Sequence, residues 1–123
     1  MSSRTVDHCL EIEEKEGACI VRFVRSDLLD DETIDEIGEH LHDLIKRGGC
    51  RRLVLQFGAV RRVSSHMLGE LVVLLKRMLT AGGCVVLCAF VPELRDTFTL
   101  LRLDRIFTIR DTEEEAVQFC RSF

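Results

Sequence analysis

Two adjacent hydroxyl groups, on Ser64 and Ser65, separate a pair of arginines from a long apolar run in the stretch RRVSSHMLGELVVLL, residues 61–75. A serine can act as a nucleophile, accept a phosphoryl group or cap a helix. His66 follows Ser65 directly, but neighbours on a helix point about 100° apart, so this imidazole is not placed to act as a base for Ser65. The sequence also lacks a G-x-S-x-G elbow, an H-E-x-x-H motif and a Walker loop. We therefore expect a binding protein and not an enzyme.

The serine pair falls between the end of a predicted strand and the start of a predicted helix. In an open α/β sheet, ligands and partners usually meet the fold at this carboxyl edge of the strands, and a helix N-terminus there favours an anion. Helix capping is the purely structural alternative, in which a serine oxygen accepts a backbone N–H and stabilises the helix by about 1 kcal/mol. Spacing along the chain leaves both roles open.

The charge balance and the aromatic content argue against nucleic acid and membrane binding. Seventeen basic and 21 acidic residues give a net charge of −4, so no overall positive field attracts nucleic acid or anionic lipid. The seven aromatic residues are phenylalanines scattered singly, which disfavours base stacking. The N-terminus lacks the apolar region of a signal peptide, and the apolar run Met67–Leu79 is too short to span a bilayer. We expect a cytoplasmic protein without membrane insertion or direct nucleic-acid contacts.

No metal or cofactor site is predicted. The six cysteines form no C-x-x-C pair and lie mostly in apolar segments, as is typical of reduced, buried thiols. Cys84 and Cys88 fall about 13 Å apart on one predicted strand, too far to bind one ion together. His40 and His42 are only two residues apart on one predicted helix and therefore do not face each other, so they are not placed to bind one ion together. We therefore expect neither a metal ion nor a cofactor.

The hydrophobic pattern of the first half predicts a hairpin and then a helix. Alternating residues on either side of Gly17 predict strands over Leu10–Glu14 and Ala18–Val24. Apolar residues then recur every three or four positions up to the paired glycines at 48 and 49, which predicts an amphipathic helix. Thr33 and Glu36 have the spacing of a capping box at the start of this helix.

The second half alternates strands and helices. The predicted elements are a strand over Cys50–Phe57, a helix over Ser65–Leu79, a strand over Cys84–Phe90, a helix from Pro92, a strand over Ile106–Ile109 and a helix capped by Thr112 that runs through Cys120. The whole order is ββαβαβαβα. It predicts one α/β sandwich domain over residues 1–123, with residues 1–8 as a tail and a mixed sheet of about five strands with four helices.

The run LVLQFGAVRRVSSHMLGELVVLLKRM, Leu53–Met78, resembles the central signature of the STAS domain, the fold of bacterial anti-sigma factor antagonists. In that family a strand leads into an apolar-D-S-[SA]-G-L-G loop and then a helix. The match of Leu68 and Gly69 to the L-G of the signature places Ser65 at the phosphorylatable serine. It places Ser64 at the preceding aspartate.

The resemblance extends over about Cys9–Phe119 and includes the C-terminal third of the chain. LLDDET, residues 28–33, resembles the family's L-D-x-x-T before the first helix, with Asp30 at the aspartate. The loop also departs from the family pattern. The aspartate before the phosphoacceptor is Ser64 here, the small residue after it is His66, and the next glycine is Met67.

The resemblance implies a role in a bacterial partner-switching circuit that regulates transcription. The unmodified protein would bind an anti-sigma factor that is also a serine kinase, and phosphorylation of Ser65, or alternatively Ser64, would end the binding until a phosphatase restores it. The chain itself would be a monomer or weak dimer. The expected partner-binding residues are Asp30, Arg61, Arg62, Ser64, Ser65, His66 and Met67.

Two alternatives stay open at this point. The changed loop favours a STAS scaffold that is never phosphorylated, or a subunit of a transporter-associated or other multiprotein complex. Arg61 and Arg62 either pair with a phosphate or an acidic partner, or form a solvated pair on the loop.

Overall fold

The strands form one six-stranded mixed sheet and one separate two-stranded pair. The structure is a computed structural model that describes residues 4–6 and 8–123, with side chains described from His8 onward. Its strands are β1 (Arg4–Val6), β2 (Leu10–Lys15), β3 (Ala18–Phe23), β4 (Asp27–Leu28), β5 (Arg52–Gln56), β6 (Arg62–Val63), β7 (Cys84–Cys88) and β8 (Thr108–Arg110). Its helices are α1 (Asp31–Lys46), α2 (Ser65–Thr80), α3 (Pro92–Leu100) and α4 (Glu113–Arg121), with a short 3₁₀ turn at Leu103–Arg105.

The large sheet has the strand order β1-β2-β3-β5-β7-β8. β1, β2 and β3 run antiparallel, whereas β3, β5, β7 and β8 run parallel, joined by helical crossovers. The predicted α/β fold class, with four helices and the order ββαβαβαβα, is confirmed. Three short strands add to it: β1, within the segment expected to be a tail, and the parallel pair of β4 with β6.

Alternation along the central strands sends their side chains to two different cores. Leu53 and Leu55 of β5 join a large cluster with α1, α2 and α3, whereas Val54 between them joins a smaller cluster with α4. Because side chains point to opposite faces with a period of two, a strand covered on both sides must be apolar throughout. This explains why β7, which is buried along its whole length, shows no polar alternation.

The start of α1 differs from the sequence prediction. The N-cap is Asp30, whose Oδ2 accepts the backbone N–H of Thr33 at 2.9 Å and its hydroxyl at 2.8 Å. The predicted capping box at Thr33 is therefore wrong by almost one turn, because Asp31 and Glu32 already have helical geometry. The predicted cap of α4 is confirmed, since the Thr112 hydroxyl accepts the N–H of Glu115 at 3.1 Å.

Candidate functional site

The small parallel pair places the starts of two helices side by side. Asp27 lies opposite Arg62 and Leu28 opposite Val63. The carbonyl of Leu28 accepts the N–H of Ser64 at 3.0 Å, so the chain entering α1 is hydrogen-bonded to the chain entering α2. Because the two strands are parallel, both helices begin on the same edge, with Asp30 and Ser64 as their N-caps.

The two serines have different roles: one caps α2 and the other presents an exposed hydroxyl. The Ser64 Oγ accepts the N–H of Met67 at 3.2 Å and caps α2. Ser65 is the first helical residue; its side chain is exposed, and its hydroxyl has no hydrogen-bond partner among the described residues. The capping role therefore belongs to Ser64, and the Ser65 hydroxyl stays accessible at the positive end of the helix dipole.

His66 connects the two helices. Its Nδ1 lies 2.8 Å from an oxygen of Asp31 and its Nε2 lies 3.1 Å from an oxygen of Asp35, both on α1. The hydrogen bond to Asp31, together with the charges of Asp35 and Glu70, raises the pKa of His66 above its ordinary value. Since both ring nitrogens face carboxylates, this imidazole holds α2 against α1 and is not directed at Ser65.

The paired arginines have different environments. The Arg62 guanidinium binds Asp27 with two contacts, Nη2 to Oδ2 at 2.8 Å and Nε to Oδ1 at 3.1 Å. This pair lowers the pKa of Asp27 and raises that of Arg62. Among the described side chains, the Arg61 guanidinium has one ion pair, a 3.6 Å contact with Glu93 between two largely exposed side chains. Arg61 is therefore the more available cation, and Arg62 braces β4 against β6.

Two more of the expected partner-binding residues have structural roles. Met67 is fully buried in the large core, so its assignment to a partner surface is wrong. The physical reason is its position three residues after the cap, which turns the side chain towards the sheet. Asp30 is exposed but already accepts two hydrogen bonds from Thr33, which lower the pKa of its carboxyl.

Sequence reasoning missed two features of this region. It missed the exposed apolar residues at the ends of β3 and β4, and it missed the acidic partners of His66. Leu29 follows β4 directly and is 42% exposed, and Val24 at the end of β3 is 44% exposed. Their apolar type was visible, but only the fold shows that Leu29 lies outside the core. Asp31 and Asp35 looked like ordinary residues of a polar helix face, and no spacing along the chain connects them with His66.

The carboxyl edge of the small parallel pair therefore presents an exposed hydroxyl on Ser65 and an exposed leucine, Leu29, on two elements tied together by backbone hydrogen bonds, while Arg61 lies before the start of β6. Such a surface suits a protein partner. Within the described part of the chain, every helix is too short or too polar to cross a membrane.

Comparison with known proteins agrees with this architecture. The STAS domain family matches residues 10–116. A Thermotoga maritima protein assigned as an anti-sigma factor antagonist is 24% identical, with a TM-score of 0.80 over 93% of this chain and 96% of that chain. The phosphorylated form of the Bacillus cell fate determinant SpoIIAA is 18% identical, with a TM-score of 0.69 over 89% and 97%. A sulfate transporter family protein from Wolinella succinogenes is 10% identical, with a TM-score of 0.71 over 88% of each chain.

The fold is thus that of a small α/β domain shared by anti-sigma factor antagonists and by a transporter family protein. Because the family match covers most of the sequence, this chain belongs to the STAS domain family.

Proposed function

We propose that this protein is an anti-sigma factor antagonist of the partner-switching type, without enzymatic activity of its own. It binds an anti-sigma factor that is also a serine kinase through the surface around Ser65, and phosphorylation of Ser65 ends that binding. One observation carries the proposal: the Ser65 hydroxyl is exposed at the first position of α2 and has no hydrogen-bond partner in the described part of the chain, while Ser64 takes the capping role. The anti-sigma factor antagonists among its structural neighbours, which include the Thermotoga maritima protein and SpoIIAA, support the same role.

The charge change explains how the modification acts on binding and not on folding. A phosphate adds about −1.5 to −2 charges and three acceptor oxygens. At the first position of a helix this charge meets the positive dipole end, so the fold tolerates it. A partner that packs over Ser65 and Leu29 instead meets a charge that must be desolvated, which is costly. The effect therefore falls on the interface.

We also propose where the protein acts, which enzymes modify it and in which oligomeric state it works. A kinase and a phosphatase act on Ser65 in the cytoplasm, and the domain works as a monomer or weak dimer. The first experiment purifies the complexes that form in the native cell and identifies the proteins that bind. The bound kinase is then mixed with ATP and the parent protein, and the phosphorylated residue is mapped by mass spectrometry.

Ser65→Ala and Ser64→Ala form a matched pair for this experiment. Ser65→Ala should abolish phosphate incorporation, whereas Ser64→Ala should retain it despite the lost cap. Phosphate on Ser64 alone would contradict the assignment of Ser65.

A second candidate function is a STAS subunit that is never phosphorylated and holds a larger assembly together, as in a transporter-associated complex. The specific observation in its favour is the altered loop, in which Met67 is buried and His66 is bound to α1. The fold-level similarity to a sulfate transporter family protein also fits this role. Stable partner binding with no phosphate incorporation from any co-purified kinase would favour the second function over the first.

A further inference from the structure

Three side chains from the facing helices α1 and α2 converge beside the serine pair. Asp35 of α1 and His66 and Glu70 of α2 each offer one ligand atom, and these atoms all lie within 4.8 Å of one another. His66 and Glu70 are four residues apart and so share one face of α2. Such a set of one imidazole nitrogen and two carboxylate oxygens on two rigid elements is a common arrangement of metal ligands.

The imidazole is already oriented as a ligand would be. Its Nδ1 is 2.8 Å from Asp31, and its Nε2 faces Asp35 at 3.1 Å. Metal-binding histidines usually donate one ring N–H to a carboxylate, which fixes the tautomer and directs the other nitrogen at the metal. Asp31 supplies that carboxylate here, so four side chains and not three make up the arrangement.

The space between the helices also fits Glu70. A Cβ on Gly38 of α1 would lie 2.6 Å from the Oε2 of Glu70, so a larger residue at position 38 would displace this carboxylate from its present place. The Nε2 of His42 lies 3.8 Å from the same Oε2. The Nδ1 of His42 is buried and is the one such side-chain atom of the described residues that lacks a hydrogen-bond partner. His42 thus lies at the inner end of the cluster with its Nε2 towards Glu70, and its unpartnered Nδ1 is not one of the proposed ligand atoms.

We propose that Asp35, His66 and Glu70 bind a first-row divalent transition-metal ion such as Zn²⁺ between α1 and α2, with Asp31 as the residue that positions His66. Mixed imidazole and carboxylate donors suit these ions better than the all-oxygen ligands preferred by Mg²⁺ and Ca²⁺. His66 binds the ion as the neutral imidazole, so a proton held on Nε2 before binding is released to water and the nitrogen lone pair bonds to the ion.

This inference stands apart from the proposed function, because it concerns the free protein and needs no kinase. A metal site here also differs from the expectation of a metal-free protein. That expectation considered only pairs of ligands within one strand or one helix. The crossover from α1 to α2 brings Asp35 next to His66. No sequence motif contains both residues, so their proximity was not predictable from spacing along the chain.

The test is a calorimetric titration of ZnCl₂ into the full chain after treatment with EDTA and under reducing conditions. We expect one Zn²⁺ per chain. Asp31→Asn should weaken binding by roughly 10–100-fold, the usual cost of losing the carboxylate that orients a ligand histidine. His66→Gln and Glu70→Gln should weaken it further. Glu32→Gln makes the same charge change one residue after Asp31 and should leave the affinity unchanged.

Competing sites must be separated from this one. His8, Cys9 and Glu36 form a second group of nearby donors, and cysteines lie elsewhere in the chain. His8→Ala should retain Zn²⁺ affinity, and bound Co²⁺ should show no thiolate charge-transfer absorption. Retained affinity in both His66→Gln and Glu70→Gln, a cobalt–thiolate band, or no uptake of Zn²⁺ or Co²⁺ would overturn the proposal. Circular dichroism of each variant checks that a lost affinity is not a lost fold.

Discussion

The starts of α1 and α2 are built alike but differ in charge. Each follows a strand of the small parallel pair, and each has an N-cap side chain that accepts the N–H three residues on, Asp30 from Thr33 at 2.9 Å and Ser64 from Met67 at 3.2 Å. The first turn of α1 carries two acidic residues after its acidic cap, whereas the first turn of α2 carries none.

This difference in charge separates the two junctions as places for an added phosphate. Negative side chains already compensate the dipole of α1, so an added phosphate there would meet like charges. At α2 the cap is neutral, and Ser65 presents its hydroxyl where a negative charge is favourable. The altered loop therefore keeps the property that a phosphorylation site needs, although Ser64 replaces the aspartate of the family pattern.

The largest effect is expected at the buried third position of α2. Met67→Ala should lower the free energy of unfolding by roughly 2–5 kcal/mol, because it leaves a cavity in a fully packed core. Urea unfolding followed by circular dichroism measures this change. Met67→Leu, which conserves most of the volume, serves as control and should cost less than about 1.5 kcal/mol. Equal stabilities of Met67→Ala and the parent would show that the side chain does not anchor α2.

Loss of the neutral cap comes next. Ser64→Ala should destabilise the protein by about 1 kcal/mol, because the N–H of Met67 loses its acceptor. Ser65→Ala should change the free energy of unfolding by less than about 0.5 kcal/mol, since its exposed hydroxyl makes no hydrogen bond to described residues. Thermal melts of the two variants separate the roles, and the reverse order would contradict the division between cap and exposed hydroxyl.

The two caps should also respond differently to acid. The hydrogen bonds from Thr33 hold the pKa of Asp30 below its ordinary value in the folded state. The stabilisation by the ionised cap is therefore present above about pH 3.9 and is lost as the pH falls through the lower folded-state pKa. The stability difference between the parent and Asp30→Ser should shrink on acidification, as measured by urea unfolding at several pH values. A constant difference would show that the charge of Asp30 does not contribute.

The sequence was sufficient for the order of long elements and for the junction that holds the serines. It was insufficient where a side chain's role depends on its neighbours in space. Thr33 has the spacing of a capping box, but the backbone becomes helical at Asp31. Met67 appeared as extra bulk at a surface, because its burial depends on where α2 begins. The three residues of β1 are too few for alternation to be recognised.

Replacement of Ser65 by aspartate combines a small effect on stability with the largest proposed effect on function. Ser65→Asp should leave the protein as stable as the parent or raise its stability by about 0.3–1 kcal/mol, because a carboxylate joins a first turn that lacks one. Chemical unfolding of parent and variant measures the change. A clear destabilisation would show that the N-terminus of α2 does not accept negative charge.

We expect negative charge on Ser65 to control partner binding. Calorimetry measures the affinity of the co-purified partner, proposed to be an anti-sigma factor, for Ser65→Asp and for the parent. The control is Ser122→Asp, which adds the same charge at an exposed serine after α4. We expect Ser65→Asp to bind the partner about thirtyfold more weakly than the parent does, which is equivalent to about 2 kcal/mol for a charge desolvated in the interface. Ser122→Asp should bind like the parent. Equal affinities of Ser65→Asp and the parent would contradict the control of binding by charge on Ser65.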